Sequence, residues 1–182
     1  CFCSKDNSWY ITTDSSSRYY TRFNFKTKSI ERILCPITEF NYIHGIAYNK
    51  KENIFYIYAK DDTGSLLCKV NYEMTKILSS VRYEKPNYSH CKDQGIYFDG
   101  EFLYKLNGRT TRDSQYSVFN HIEVYDREMN YLKTINAPFS SEIEAMSMYE
   151  GKYYFYYNCY SRCGLVFKGD IFHTNHSYHT RD

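Results

Sequence analysis

Apolar and aromatic residues along this chain fall in short alternating runs, separated by turns rich in Asp, Asn, Glu and Gly. Alternation with a period of two predicts strands, because successive side chains on a strand point to opposite faces. The runs themselves recur. His44-Gly45-Ile46-Ala47-Tyr48 returns fifty residues on as Gln94-Gly95-Ile96-Tyr97-Phe98, and after fifty more as Glu144-Ala145-Met146-Ser147-Met148. Each copy precedes a turn and an aromatic strand: Lys51-Glu52-Asn53 then Phe55–Tyr58, Asp99-Gly100 then Phe102–Tyr104, Glu150-Gly151 then Tyr153–Phe155. A fifty-residue period built from strand, turn and strand predicts β-propeller blades rather than a helical solenoid.

The chain is therefore predicted to be all-β, a β-propeller with ~50-residue blades, two complete and two partial, as part of a larger or oligomeric ring. The first full blade comprises Ile43–Tyr48, Ile54–Lys60, Ser65–Tyr72 and Ile77–Tyr83. The second comprises Gln94–Phe98, Phe102–Asn107, Phe119–Tyr125 and Tyr131–Asn136, with extra residues in the loop around Arg109–Tyr116. Trp9–Thr13, Tyr19–Phe25 and Ile30–Cys35 read as a blade lacking its first strand. Glu142–Tyr149, Tyr153–Asn158 and Leu165–Phe172 read as a blade lacking a clear fourth. One domain over 1–172 is expected, followed by a polar His-containing tail over 173–182. An open slice of a propeller exposes sheet edges and apolar faces, which proteins avoid. The missing partners are thus expected from the remainder of a longer polypeptide or a neighbouring subunit. A curved β-sandwich with coincidental spacing is the alternative architecture.

Composition narrows the partners. A net charge of +2, with basic residues interleaved among acids, argues against nucleic acid, whose binding needs clustered Lys and Arg. No apolar stretch is long enough for a membrane-spanning helix. A chain that starts at Cys1 reads as a processed product or an excised piece. Its seven cysteines are an odd number, so an all-disulfide framework leaves one thiol over. Most of the scattered ones read as small buried hydrophobes, while Cys159 and Cys163 bracket a hairpin tip that a local disulfide could close.

Candidate chemistry gathers at the repeat position itself. In a propeller the innermost strands line the central axis, so His44, Gln94 and Glu144 are placed around one axis. Glu142, two residues before Glu144, shares its strand face. His90 and Asp93 lie in the connection to the second full blade, and Tyr48 and Tyr97 lie on the inner strands close by. Amide, imidazole and carboxylate groups converging on an axis suit a polar ligand such as a sugar; a channel lined by polar groups that hold only water is the alternative.

Other chemistry is less supported. A glycosidase would need an acid such as Asp93 or Asp99 facing Glu142 and Glu144 across the scissile bond. A lactonase would use such acids as metal ligands. Asp61-Asp62-Thr63-Gly64 lacks the later ligands of a calcium loop and reads as a turn. His173, His176 and His179 are spaced for one helical face, but their segment carries no apolar stripe. No phosphate loop, nucleophile elbow or HExxH occurs, so neither cofactor nor metal is expected. Tyr19-Tyr20, Tyr153-Tyr154 and Tyr156-Tyr157 put rings on both faces of their strands, more than a core absorbs, so exposed tyrosines are expected.

The run Gln94–Tyr104, then Ile122-Glu123-Val124-Tyr125-Asp126, then Glu142-Ile143-Glu144 with Gly151–Tyr154, resembles propeller domains of tail and receptor-binding proteins of phages infecting low-GC Gram-positive bacteria. The resemblance covers roughly residues 40–158. It implies a non-catalytic module on a virion surface or in an extracellular setting that binds host cell-surface polysaccharide or teichoic acid, in some cases as an oligomer. Enzymatic and purely structural or oligomerisation roles are the alternatives.

Overall fold

The computed structural model describes residues 1–12, 17–83, 92–108, 120–137, 142–159 and 163–169. His90, Cys91, the loop at 109–119 and the tail at 173–182 lie outside the described residues. Among the described residues, fifteen strands form four antiparallel sheets, each a meander in chain order. The first sheet holds β1 (Phe2–Cys3), β2 (Ser8–Thr12), β3 (Tyr19–Asn24) and β4 (Ser29–Leu34). The second holds β5 (Tyr42–Asn49), β6 (Ile54–Asp61), β7 (Gly64–Asn71) and β8 (Ile77–Tyr83). The third holds β9 (Lys92–Phe98), β10 (Leu103–Gly108), β11 (Asn120–Tyr125) and β12 (Tyr131–Ala137), and the fourth β13 (Glu142–Tyr149), β14 (Lys152–Cys159) and β15 (Cys163–Gly169).

The blade missing its first strand in the sequence has one after all. β1 pairs Phe2 with Trp9 and Cys3 with Ser8. A strand of two residues is too short to show alternation, which is why the pattern passes over it.

The hairpins are set by repeated turn chemistry. Asn49 Oδ1 accepts the amides of Lys51 and Glu52, and Asp99 Oδ1 those of Glu101 and Phe102, so the same side-chain cap closes the turn after β5 and after β9. In the turns before β8 and β12, Met74 and Met129 take positive φ values of 53° and 67°. Both side chains are buried, a contact that offsets the cost of a left-handed residue lacking glycine's freedom.

β5 packs beside β9, and β9 beside β13, so the first strands of the last three sheets stand next to one another and the sheets fan outward. Three cores fill the wedges. Tyr10, Ile43, Phe55 and Ile57 belong to the core between the first and second sheets. Tyr56, Tyr58, Leu67 and Phe98 fill the wedge between the second and third; Tyr104, Ile122, Ile143 and Tyr157 fill the last. The first and fourth sheets do not pack on each other among the described residues, so the ring is open.

This sandwiching corrects the expectation of exposed tyrosine pairs. Tyr20, Tyr153 and Tyr157 are buried, and Tyr19 and Tyr154 are half-buried; Tyr156 is exposed. A blade has neighbours on both sides, so both faces of its strands face protein, as β10 and β11 show by being buried at every position. Cys3, Cys35 and Cys68 are buried free thiols, and burial pushes the Cys68 thiol up to about 12.

The repeat glycine also finds its reason. A methyl group on Gly45 would stand 3.0 Å from the Ile96 backbone nitrogen, and one on Gly95 would stand 3.5 Å from the Glu144 carbonyl oxygen. Gly45 thus lets the next inner strand approach, whereas a methyl on Gly95 would meet only an ordinary contact. Ala145 takes this position in the last described sheet, where the residue is exposed and no inner strand follows among the described residues.

Candidate axial site

The three repeat positions share a backbone feature invisible in the sequence pattern. Pairing of β5 with β6 jumps between Ile43 and Gly45, leaving His44 as an extra residue. Pairing of β13 with β14 jumps between Ile143 and Ala145, leaving Glu144. Pairing of β9 with β10 slips over the same repeat interval, between Asp93 and Ile96, where Gln94 and Gly95 lie. A β-bulge thus recurs at the fifty-residue period. Bulges break the ladder locally and re-aim a side chain. The only sequence signal was the glycine after the polar residue in two of the three copies, Gly45 and Gly95.

Gln94 and Glu142 are brought into direct contact. The Gln94 amide donates from Nε2 to Glu142 Oε1 over 2.7 Å, joining β9 to β13. Both side chains are half-buried, as is Glu144 on the same strand as Glu142. His44, also half-buried, stacks on Tyr58 with centroids 5.3 Å apart and meets Tyr42 edge-on at 4.8 Å. Its carbonyl accepts the Thr12 hydroxyl at 2.9 Å, tying β2 to β5 at the bulge.

The other candidates go elsewhere. Tyr48 packs in the core between the first and second sheets, 5.1 Å from the Phe55 ring, and its hydroxyl donates to Asn53. Tyr97 packs in the core between the third and fourth sheets, stacked 6.3 Å from Tyr104. Their rings point sideways between blades because they sit three to four residues past the bulge, on the stretch where inner strands press on their neighbours. Asp93 turns inward: its carboxylate accepts from Lys105 Nζ at 2.9 Å and lies 3.8 Å from Lys60 Nζ. Asp99 sits at the far end of β9, where Oδ2 accepts the hydroxyls of Tyr104 and Tyr153 at 2.7 and 2.8 Å. Both acids that a glycosidase would need opposite Glu142 and Glu144 are thus engaged by other partners. Asp61 forms its turn with Thr63 and Gly64 and a two-pronged ion pair with Arg82, whose bonds hold the carboxyl well below the usual carboxylate range. Among the described residues no group of three or more His, Cys, Asp or Glu side chains is arranged to hold a metal ion.

The sequence pattern also missed a polar cluster behind the axis. Lys105 is fully buried; besides Asp93 it donates to Asn107 and lies over the rings of Tyr58 and Tyr83 at 4.6 and 4.2 Å. Glu123, also buried, accepts the hydroxyls of Tyr83 at 2.6 Å and Tyr125 at 2.9 Å. Burial, and then the bond to Glu123, push the Tyr83 phenol far up.

No protein family and no curated protein matches the sequence. Solved structures do share the shape. The chain is similar to a chain of Kuenenia stuttgartiensis hydrazine synthase at a TM-score of 0.54 and 6% identity, covering 86% of this chain and 48% of that one. It is also similar to Saccharomyces cerevisiae Sqt1, at a TM-score of 0.47 and 11% identity, covering 91% and 42%. For BamB from Moraxella catarrhalis the TM-score is 0.43 and the identity 8%, covering 96% and 46%. The chain spans less than half the length of each of these three. The arrangement is that of an open β-propeller. At such identities the likeness bears on fold alone, and no helix among the described residues is long and apolar enough to cross a membrane.

Proposed function

We propose that this domain is a binding module that recognises a glycan or teichoic-acid-type polymer of a host cell surface, without catalysis, at the axial ends of β5, β9 and β13. The observation that carries this reading is the Gln94–Glu142 pair, which sets an amide and a carboxylate side by side on neighbouring inner strands. Together they offer both donors and acceptors to the hydroxyls of a polar ligand. Glu144 and His44 flank them at the same repeat position, each at a bulge. The half-buried His44 ring is held by stacking on the buried Tyr58 and by the edge of Tyr42. The resemblance to phage receptor-binding propellers supports a setting on a virion surface or outside the cell. Tyr48 and Tyr97, packed between blades, act in this reading by positioning the inner strands.

Incubation with a panel of purified bacterial surface polysaccharides tests the proposal, with retention and product formation followed together. Retention of an intact polymer is expected. Release of oligosaccharides would replace the reading with catalysis, and absence of both would replace it with a scaffold role.

A further inference from the structure

Between the second and third sheets, Lys69 and Lys105 are each bonded to a carboxylate, and Lys60 is not. Lys69 donates to Glu128 at 2.7 Å and Lys105 to Asp93 at 2.9 Å. Lys60, near the end of β6, stands 3.8 Å from Asp93, too far for a hydrogen bond. The acids that follow it in the chain are engaged elsewhere, Asp61 by Arg82 and Asp62 by the Asn41 amide. One buried carboxylate thus faces two ammonium groups and bonds the deeper one. An ammonium has three donors, and Lys60 gives none of them to a described residue. Its side chain is also the open one of the three, 28% exposed against 9% for Lys69 and 0% for Lys105.

The repeat geometry sets this charge beside the axial residues. Lys60 opposes Tyr42 in the pairing of β5 with β6, and its ammonium lies over the Tyr42 ring, 5.4 Å from the centroid. That is within the range of a cation–π contact. Tyr42 in turn meets His44 edge-on, and Asp93 immediately precedes Gln94 on β9. Lys60 is therefore flanked by contacts that lead to two of the axial side chains. We infer that Lys60 is the axial residue that takes an oxyanion, so the polymer bound there carries carboxylate or phosphate groups as well as hydroxyls. This rests on the axial reading and goes beyond it by dividing the site: Gln94 and Glu142 take hydroxyls, and Lys60 takes the acidic group. A charge-assisted hydrogen bond is roughly twice as strong as a neutral one, which makes this contact a determinant of specificity. Tyr42 acts through Lys60, as a positioning residue.

Retention of three polymers tests the inference: a poly(glycerol phosphate) teichoic acid, polygalacturonate and neutral dextran. At least one acidic polymer should bind the wild-type chain about tenfold more tightly than dextran. Preference for teichoic acid alone identifies the group taken as phosphate, and preference for polygalacturonate alone as carboxylate. Lys60→Gln should erase most of the preference, while Lys60→Arg, which keeps the charge, should retain it. Lys60→Met, which keeps the apolar stem, serves as a second neutral variant, and thermal unfolding checks that each variant folds. Lys26→Gln removes the same charge from an exposed position in the turn between β3 and β4 and should change little. Equal effects of Lys60→Gln and Lys26→Gln would overturn the inference, because the preference would then be general charge attraction. If Gln94→Ala weakens binding of every retained polymer in that case, the axial reading stands without it. Binding of dextran as tight as that of both acidic polymers also overturns it. Retention of none of the three overturns this inference and the axial reading together.

Discussion

Lys105 Nζ stands 2.9 Å from Asp93 Oδ1 between the second and third sheets, with side chains 0% and 4% exposed. Register shows what is unusual about the pair. Lys105 opposes Ile96 as Ile57 opposes Ile46 and Phe155 opposes Met146. Asp93 opposes Asn107 as Ile43 opposes Ala59 and Ile143 opposes Tyr157. One blade interface thus carries charge at positions that both neighbouring blades fill with hydrophobes. An ion pair buried this way rarely stabilises more than a well-packed apolar pair, but it is costly to break.

Lys105→Met should therefore destabilise the fold by about 3–5 kcal/mol, because it removes the closer of the two ammonium groups from a buried carboxylate. The double replacement Asp93→Ile with Lys105→Ile, which installs the residues of the second sheet, should recover most of that loss. Urea denaturation of the three proteins checks this. A double variant as unstable as the single one would show that the pair is integral to the packing rather than a substitute for an apolar contact.

Glycines of the inner strands should differ in tolerance. In Gly45→Ala the new methyl would press on the Ile96 backbone, at a cost of about 1–3 kcal/mol. Gly95→Ala meets only an ordinary contact and should be neutral or stabilise by up to about 1 kcal/mol through the unfolded state. Thermal unfolding of both variants should show a clear fall in Tm for the first alone; equal falls would contradict the close approach of β5 and β9.

Alkaline pH should unfold the protein through its tyrosines. Burial holds the phenols of Tyr20, Tyr56, Tyr153 and Tyr157 up at about 12, and those of Tyr58, Tyr83 and Tyr104 higher still. In the unfolded chain they ionise near pH ~10. Above that pH the unfolded state releases protons that the folded state retains. Their contribution to stability is therefore complete below pH ~10 and falls as pH rises toward the folded values. Phenolate absorbance and circular dichroism, followed together, should show the buried tyrosines ionising in step with loss of the fold. Smooth ionisation of all tyrosines near pH ~10, with the fold intact, would be the opposite result.

The strand pattern was legible in the sequence because turns capped by Asn49 and Asp99 and alternation between them are local properties. Ile77–Tyr83 and Glu142–Tyr149 fall where the pattern predicts them. The axial site was partly legible. The spacing placed Gln94 and Glu142 on neighbouring inner strands, but not the hydrogen bond between them or the bulges. Asp93 was misplaced because a charge entering an inner strand looks like axial lining; its repeat equivalents Ile43 and Ile143 mark it as interior. The tyrosines were misjudged for a related reason. A strand buried on both faces loses the contrast by which alternation separates inside from outside.

The most direct test of the axial reading is the affinity of a retained polysaccharide for the wild-type chain and for Gln94→Ala and Glu142→Ala. Loss of one to two hydrogen bonds to the ligand should weaken binding roughly tenfold in each variant, with thermal stability preserved. Unchanged affinity in both variants would contradict recognition at the axis.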